Sequence, residues 1–545
     1  MAAKKSARKR QITQDDLFDV KYVCEATLSP DGNLAAYTLS ETSSSGDKER
    51  QVHSVWLIET SGGKARRLTR SKGSSYSSQF SKDGTTIYFL SSRDKVPQIY
   101  SMPVDGGEAE AVTGLPQGVD RFEVTSNDSL VFSALTNIPA KPSDDDHPRI
   151  DRFWFRFDPV PGYLQDINQT IYIMKPGGKP KALTDGNGMM MGFSVSADGK
   201  QLAYLVTGFS HHEFVQSDLC VVPTSGKRNP KVVLKNRIFN QITWHPSGQS
   251  VICHGQIKGM SVNGSYFTVN VENSSISDRT GPLDLNAGIA LQVHIPASVG
   301  SKMLTDSDGS KLYACITRGG EAHPNIIRLR GKASAKPVCD GQEANHLMAK
   351  HGDKLLVISH STNEPPALYL LNEGSGEKKK LTSHNEVWQQ KFNWPAVERI
   401  VIKVKRNVEV EGWVIKPRNA RAPYKTILNI HGGPHAGYGC TFWADMHELV
   451  GAGYAVAFMN PRGSTGYGQN FMQAIFGCWG YPELEDFNAF LDELVKRKIA
   501  HPDKLGVTGI SGGGHLSSWL IGHTNRFKAA VPEQGVYNMI SMWGV

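Results

Sequence analysis

Residues 504–519, KLGVTGISGGGHLSSW, read as a strand, a sharp turn and a helix, with Ser511 at the bend. Leu505, Val507 and Ile510 supply a short β-forming run, and Leu516, Trp519 and Leu520 recur at helical spacing. Between them Gly509, Gly512, Gly513 and Gly514 remove side chains where the chain has to reverse. This is a G-x-S-x-G nucleophile elbow, in which a strained turn lifts the serine Oγ above the sheet edge and the next backbone N–H faces a developing oxyanion. A glycine-rich turn between a strand and a helix would look the same in isolation, so the reading depends on what lies upstream.

Upstream stands HGGP at 431–434, a strand end with two glycines whose amides can approach a substrate carbonyl, followed by the tight loop NPRGSTGYG at 460–468. Strand-like runs at 399–404, 411–417, 426–435 and 454–460 alternate with helical patterns at 442–451 and 483–497, the latter with Leu484, Phe487, Leu491 and Leu494 on one face. Such alternation predicts an α/β-hydrolase-type domain around a mostly parallel sheet, covered on both sides. The run FKAAVPEQG at 527–535 is expected to be one more buried strand.

From about residue 26 to 388 the sequence repeats a different theme. Turns of the Ser-Pro-Asp-Gly type recur as SPDG at 29–32, SKDG at 81–84, SADG at 196–199, HPSG at 245–248 and SDG at 307–309, each followed by alternating strand material such as NLAAYTL or KQLAYLV. Closing segments such as ARRLTR, KALTDG and KKKLTS repeat too. These are hairpin signals, and a strand-built repeat of about 50 residues marks a β-propeller, whose blades bury their faces only by stacking. Seven blades are counted. The third is interrupted by a polar, proline-containing stretch at 137–163, where Asp144, Asp145, Asp146 and His147 form a solvated acidic loop rather than a metal site, since consecutive residues cannot all face one ion. His211, His212 and Glu213 read likewise as loop polarity, and Phe153, Trp154, Phe155 and Phe157 as packing between blades.

The chain has 545 residues, 39% hydrophobic and 21% charged, which suits a soluble globular protein of two to four units. Its net charge of +8 owes much to the first ten residues, MAAKKSARKR, which read as a solvated tail because no aromatic-interleaved basic motif follows. Thr13 opens a short helix with a capping-box pattern at 13–20. No apolar run near the start has the length of a signal peptide or a membrane span, so a cytoplasmic location is expected. Seven cysteines are scattered singly with no C-x-x-C, against both a zinc site and a disulfide framework. Neither a metal nor a cofactor is expected. The expected organisation is a basic tail and short helix over 1–24, a propeller over 25–390 and a hydrolase domain over 391–545.

Taken together, TQDDLFDVKYV, the SPDG repeats, HGGPH, NPRGSTGYG, CWGYPELEDF, GISGGG and IGHTNRFKAAV resemble the prolyl oligopeptidase family of serine peptidases, closest to its acylaminoacyl-peptidase branch. The resemblance covers nearly the whole chain. It implies that Ser511 is the nucleophile, that the N–H of Gly512 and the loop at Gly432 and Gly433 form the oxyanion hole, and that the propeller admits only short peptides. The family's elbow usually has an aromatic after the serine, and Gly512 departs from that. The implied activity is hydrolysis of short peptides or N-acylated aminoacyl peptides through an acyl-enzyme, with an esterase, or a catalytically impaired protein that only binds peptides, as the rival readings. Short or acylated peptides are the expected partners, nucleic acid and membranes are not, and self-association stays open.

In this fold the triad runs Ser, Asp, His along the chain. No Asp follows Ser511, and the histidines that do, His515 and His523, lie on the helix that Ser511 begins. The hydrolase domain is therefore expected to lack its C-terminal strands, and the 545 residues alone to be poorly stable and nearly inactive without a partner carrying Asp and His.

Overall fold

The computed structural model describes residues 9–45, 48–71, 73–137, 168–186, 188–208, 216–226, 229–259, 261–293 and 300–544. The acidic loop at 144–147, the aromatic set at 153–157 and residues 211–213 lie outside them.

The N-terminal part consists of sheets whose strands pair antiparallel, apart from one parallel pairing of Ala322 with Ala344. Three four-stranded sheets span 22–67, 75–111 and 121–182. A seven-stranded sheet then covers 189–278, in which the long strand Lys231–Trp244 leaves one set of four strands and starts the next, and a nine-stranded sheet covers 286–380. The repeated turns are repeated as chemistry. Ser29 Oγ donates to Asp31 at 2.6 Å and accepts the Leu34 N–H at 2.9 Å, and Ser81 with Asp83 and Ser196 with Asp198 make the same bonds. Gly32, Gly84 and Gly199 close these turns at φ between 72° and 74°, where a side chain would be strained. The closing segments recur in the same way: the hydroxyls of Thr69, Thr113 and Thr382 accept the N–H of Val55, Ile99 and Leu368 at 2.9 Å.

The first and last sheets share one apolar core, in which Val23, Tyr37 and Leu39 pack with Met348, Leu356 and Ile358. Such packing closes a β-propeller. Facing the interior is a cavity of about 550 Å³ whose lining includes Glu25, Ser77, Asp120, Arg121, Gln241 and Lys302.

The C-terminal part is built on one six-stranded sheet: β1 (Ala396–Lys403), β2 (Glu409–Lys416), β3 (Tyr424–Ile430), β4 (Ala455–Asn460), β5 (Ala500–Ile510) and β6 (Phe527–Glu533). Their order is β1-β2-β4-β3-β5-β6, antiparallel from β1 to β4 and parallel from there to β6. Side chains alternate between the two faces. Val410, Val414, Ala457 and Met459 meet helices α2 (Tyr481–Lys496) and α3 (Gly512–His523), while Trp413, Ile415, Val456 and Phe458 meet α1 (Ala444–Gly451). Phe487, Phe490, Leu491 and Leu494 of α2 are buried, each apolar side chain contributing about 1.5–3 kcal/mol. Gly412 makes room for them: a methyl there would lie 2.5 Å from Phe490.

The expectation that 527–535 is a buried strand is corrected: the strand is Phe527–Glu533, and much of it is exposed among the described residues. Among the described residues strand β6 pairs with β5 alone, Ala529 and Glu533 are exposed and Val531 keeps 60% of its surface in solvent.

At the N-terminus of α2, Glu483 reaches back to accept the Gly480 N–H at 3.0 Å and is buried, with its second carboxyl oxygen unpartnered. Burial pushes its carboxyl from 4.5 up to about 7. Between those values the folded chain holds a proton that the unfolded chain has released, so stability falls as pH rises through that window. Glu483→Gln is expected to melt above the parent at about pH 8, by up to about 3 kcal/mol of stability, and to converge with it near pH 4. Equal melting temperatures at both pH values would contradict this.

Candidate active site

Ser511 joins β5 to α3 at φ 58° and ψ −119°, a conformation that non-glycine residues rarely adopt. The turn is held by the Ser511 N–H on the Glu533 carbonyl at 2.9 Å and the His515 N–H on the Ser511 carbonyl at 3.0 Å. Its side chain does not cap the helix that it begins, and the residue is exposed. A strained, uncapped and accessible hydroxyl at a helix N-terminus suits a nucleophile.

The glycines after it are needed for close approach. A methyl on Gly513 would lie 2.1 Å from the Ile430 carbonyl oxygen at the end of β3. One on Gly512 would lie 2.6 Å from the carbonyl oxygen and 2.8 Å from the nitrogen of Gly433. The elbow and the HGGP loop are therefore in backbone contact, and the place of a side chain after the serine is filled by Gly433. Gly512→Ala is expected to push the loop away and lower turnover by more than about tenfold, since a misplaced oxyanion donor costs at least that. Unchanged kcat would refute the steric argument.

Among the described residues the N–H groups of Gly433 and Gly512 have no hydrogen-bond partner. That of Gly432 has one, the side-chain Oε1 of Gln292 at 3.1 Å. Gln292 comes from the propeller side and is anchored by its backbone. Its N–H donates to the Gly437 carbonyl at 2.8 Å, and its carbonyl accepts from Thr441 Oγ1 and Trp443 Nε1 at 3.1 and 3.2 Å. Nothing in the sequence around Gln292 singles it out.

The loop at 460–468 lies against HGGP, with the Thr465 N–H on the Ala436 carbonyl and His435 Nδ1 3.0 Å from the Gly463 carbonyl. Its Arg462 is fixed to α2: the main-chain N–H, Nε and Nη2 all reach the carboxylate of Asp486, which is fully buried. Asn460 bonds both the N–H and the carbonyl of Tyr438.

Three imidazoles nearby have other roles. His431 is buried between Ser464 Oγ at 3.0 Å and its neighbour's carbonyl, and burial lowers its pKa to about 4, so it stays neutral. His515 stacks on Trp479 at 4.6 Å and bonds the Val536 carbonyl through Nδ1. His523 stacks on Trp519 and bonds its carbonyl. Among the described residues, no imidazole is hydrogen-bonded to Ser511 Oγ.

A strained serine elbow on an α/β sheet, in backbone contact with a glycine loop and joined to a β-propeller, defines a serine hydrolase of the α/β class. Residues 441–545 match the family model described as the prolyl oligopeptidase family. Over its whole length the chain is similar to an uncharacterized peptidase, YuxL, of Bacillus subtilis, at 28% identity over 98% of this chain and 84% of that protein. Over 120 residues, 22% of this chain and 16% of the relative, it is 38% identical to an acylamino-acid-releasing enzyme of Arabidopsis thaliana. The acylaminoacyl peptidase of Pyrococcus horikoshii shares the fold with a TM-score of 0.77 at 19% identity, covering 96% of this chain and 79% of that one. Among the described residues no helix is long and apolar enough to cross a membrane.

Proposed function

We propose that this protein is a serine peptidase that hydrolyses short peptides or N-acylated aminoacyl peptides. The observation that carries the reading is the strained, accessible Ser511 with two unpartnered N–H groups, those of Gly433 and Gly512, beside it. Ser511 Oγ attacks the scissile carbonyl carbon, its proton passes to a base, and the C–O bond forms as the carbonyl becomes an oxyanion facing the two amides. Collapse expels the amine, which takes the proton, and water then releases the acyl group. Each oxyanion donor is worth about 10² to 10³ in rate. Gly432 belongs to the loop as its hinge to Gln292 and not as a third free donor. The base is assigned to none of the described residues.

The propeller is read as seven blades over about 25–390, because the strand Lys231–Trp244 serves two consecutive blades and the nine-stranded sheet divides into two more. Blades of this kind screen access to Ser511. A cytoplasmic setting agrees with seven free cysteines, of which Cys24, Cys253 and Cys315 are held by burial as thiols with raised pKa. The discriminating experiment compares aminoacyl and acetyl-aminoacyl anilides with simple p-nitrophenyl esters. With a partner polypeptide that supplies the base, hydrolysis of both is expected, and cleavage of esters alone would sink the peptidase reading.

A further inference from the structure

We propose that Gln292, carried by the propeller side, is a substrate-binding residue that donates a hydrogen bond from Nε2 to a main-chain carbonyl of the peptide lying against Ser511. The inference rests on the peptidase reading and goes beyond it by placing a substrate contact outside the hydrolase domain.

The orientation of the carboxamide is settled by its partner. The Gly432 N–H is a donor, so the atom 3.1 Å from it is the acceptor Oε1, and the amino group must point the other way. A methyl on Gly432 would lie 3.1 Å from Gln292 Nε2, 3.2 Å from the Ile510 carbonyl oxygen and 3.5 Å from Ser511 Cβ, so the amide group and the nucleophile elbow lie beside the same glycine. Among the described residues Nε2 has no acceptor, although the side chain is half-buried and its other end is bonded. An amide held by one end, with two free N–H donors beside a nucleophile, is prepared for a carbonyl oxygen that arrives with the substrate. The carboxamide is also held in place before substrate binds. The backbone of Gln292 makes three hydrogen bonds to Gly437, Thr441 and Trp443, and the neighbouring Leu291 pairs with Gly437. Little ordering remains to be done when the peptide docks.

A loop-supporting role would need only Oε1, and the variants separate the two. Gln292→Glu keeps the acceptor for Gly432 and loses the donors, whereas Gln292→Met loses both and adds no charge. Peptide anilide hydrolysis, melting temperature and the rate of Ser511 labelling by a small fluorophosphonate are measured for each. The expected result is a loss of about tenfold in kcat/KM for the anilide in both variants, the worth of one hydrogen bond at a desolvated site. Melting temperature and fluorophosphonate labelling, which involves no peptide main chain, are expected to stay within about twofold and 2 °C of the parent. Hydrolysis retained by Gln292→Glu but lost by Gln292→Met would make the residue a loop support only and overturn the proposal. Loss in Gln292→Glu alone would point to charge repulsion and overturn it too. Failure of the peptidase reading has a different signature, a parent protein that does not hydrolyse the anilide at all even with the base supplied by a partner polypeptide.

Discussion

With a partner polypeptide that supplies the base, Ser511→Ala is expected to lower peptide hydrolysis by a factor on the order of 10⁴ to 10⁶ and to abolish covalent labelling by a fluorophosphonate, while the melting temperature barely moves. The size follows from the division of labour at the site. Alanine leaves the Gly433 and Gly512 amides in place, so binding and polarisation of the carbonyl persist, but no acyl-enzyme can form. Stability should hold because the Ser511 side chain makes no capping bond, and the turn is maintained by the Ser511 and His515 N–H groups. Alanine at φ 58° pays no more strain than serine. Two controls sharpen the result. Ser517 is buried with Oγ on the Gly513 carbonyl at 2.7 Å, and His515 faces Val536 and Trp479, so Ser517→Ala and His515→Gln should each keep hydrolysis within about threefold of the parent. Persistent labelling in Ser511→Ala would place the nucleophile elsewhere.

Asp486→Ala carries the largest expected loss of stability, about 3–5 kcal/mol, the cost of leaving one member of a buried ion pair alone. Asp486 is fully buried and the Arg462 side chain is 11% exposed. Burial pulls the Asp486 carboxyl upward and Arg462 pulls it down, whereas the same pairing raises Arg462. The geometry decides between these tendencies: three donors of Arg462 converge on the two oxygens, which is the surrounding of a carboxylate and not of an acid that needs an acceptor of its own. Removing it strands a guanidinium whose remaining partners are the Pro482 carbonyl and Glu485. A fall of about 10 °C in the melting of the hydrolase part is expected. Activity should fall further than stability alone explains, because the loop that Arg462 anchors touches the HGGP loop through Thr465 and His435. Asp486→Asn keeps a hydrogen-bonding group and should lose less. A melting temperature within about 2 °C of the parent in Asp486→Ala would show the pair to be dispensable.

Much of this architecture was legible because it is written in local chemistry. The Ser-x-Asp-Gly turns could be read because each is one hydrogen-bonded unit, with Ser29 on Asp31 and Gly32 at positive φ, and needs nothing from the rest of the chain. The elbow was legible for the same reason: strand, bend, helix and nucleophile fall within sixteen consecutive residues. A period-3.6 pattern located α2, since one face of it is buried, and short apolar runs located β2 and β4, which are buried on both faces.

The tertiary structure decided the rest, where contacts join residues far apart in the chain. The bare Gly512 looked like a departure from a pattern until the Gly433 carbonyl was found where its side chain would be. Arg462 and Asp486 meet across 24 residues and Gln292 meets Gly432 across 140, distances over which no periodicity or turn preference acts. The sequence by itself determined the ring of sheets, the α/β layer and the serine at the bend, because those rest on neighbours in the chain. The contacts between loops were settled only by packing, because their partners are chosen by the fold as a whole.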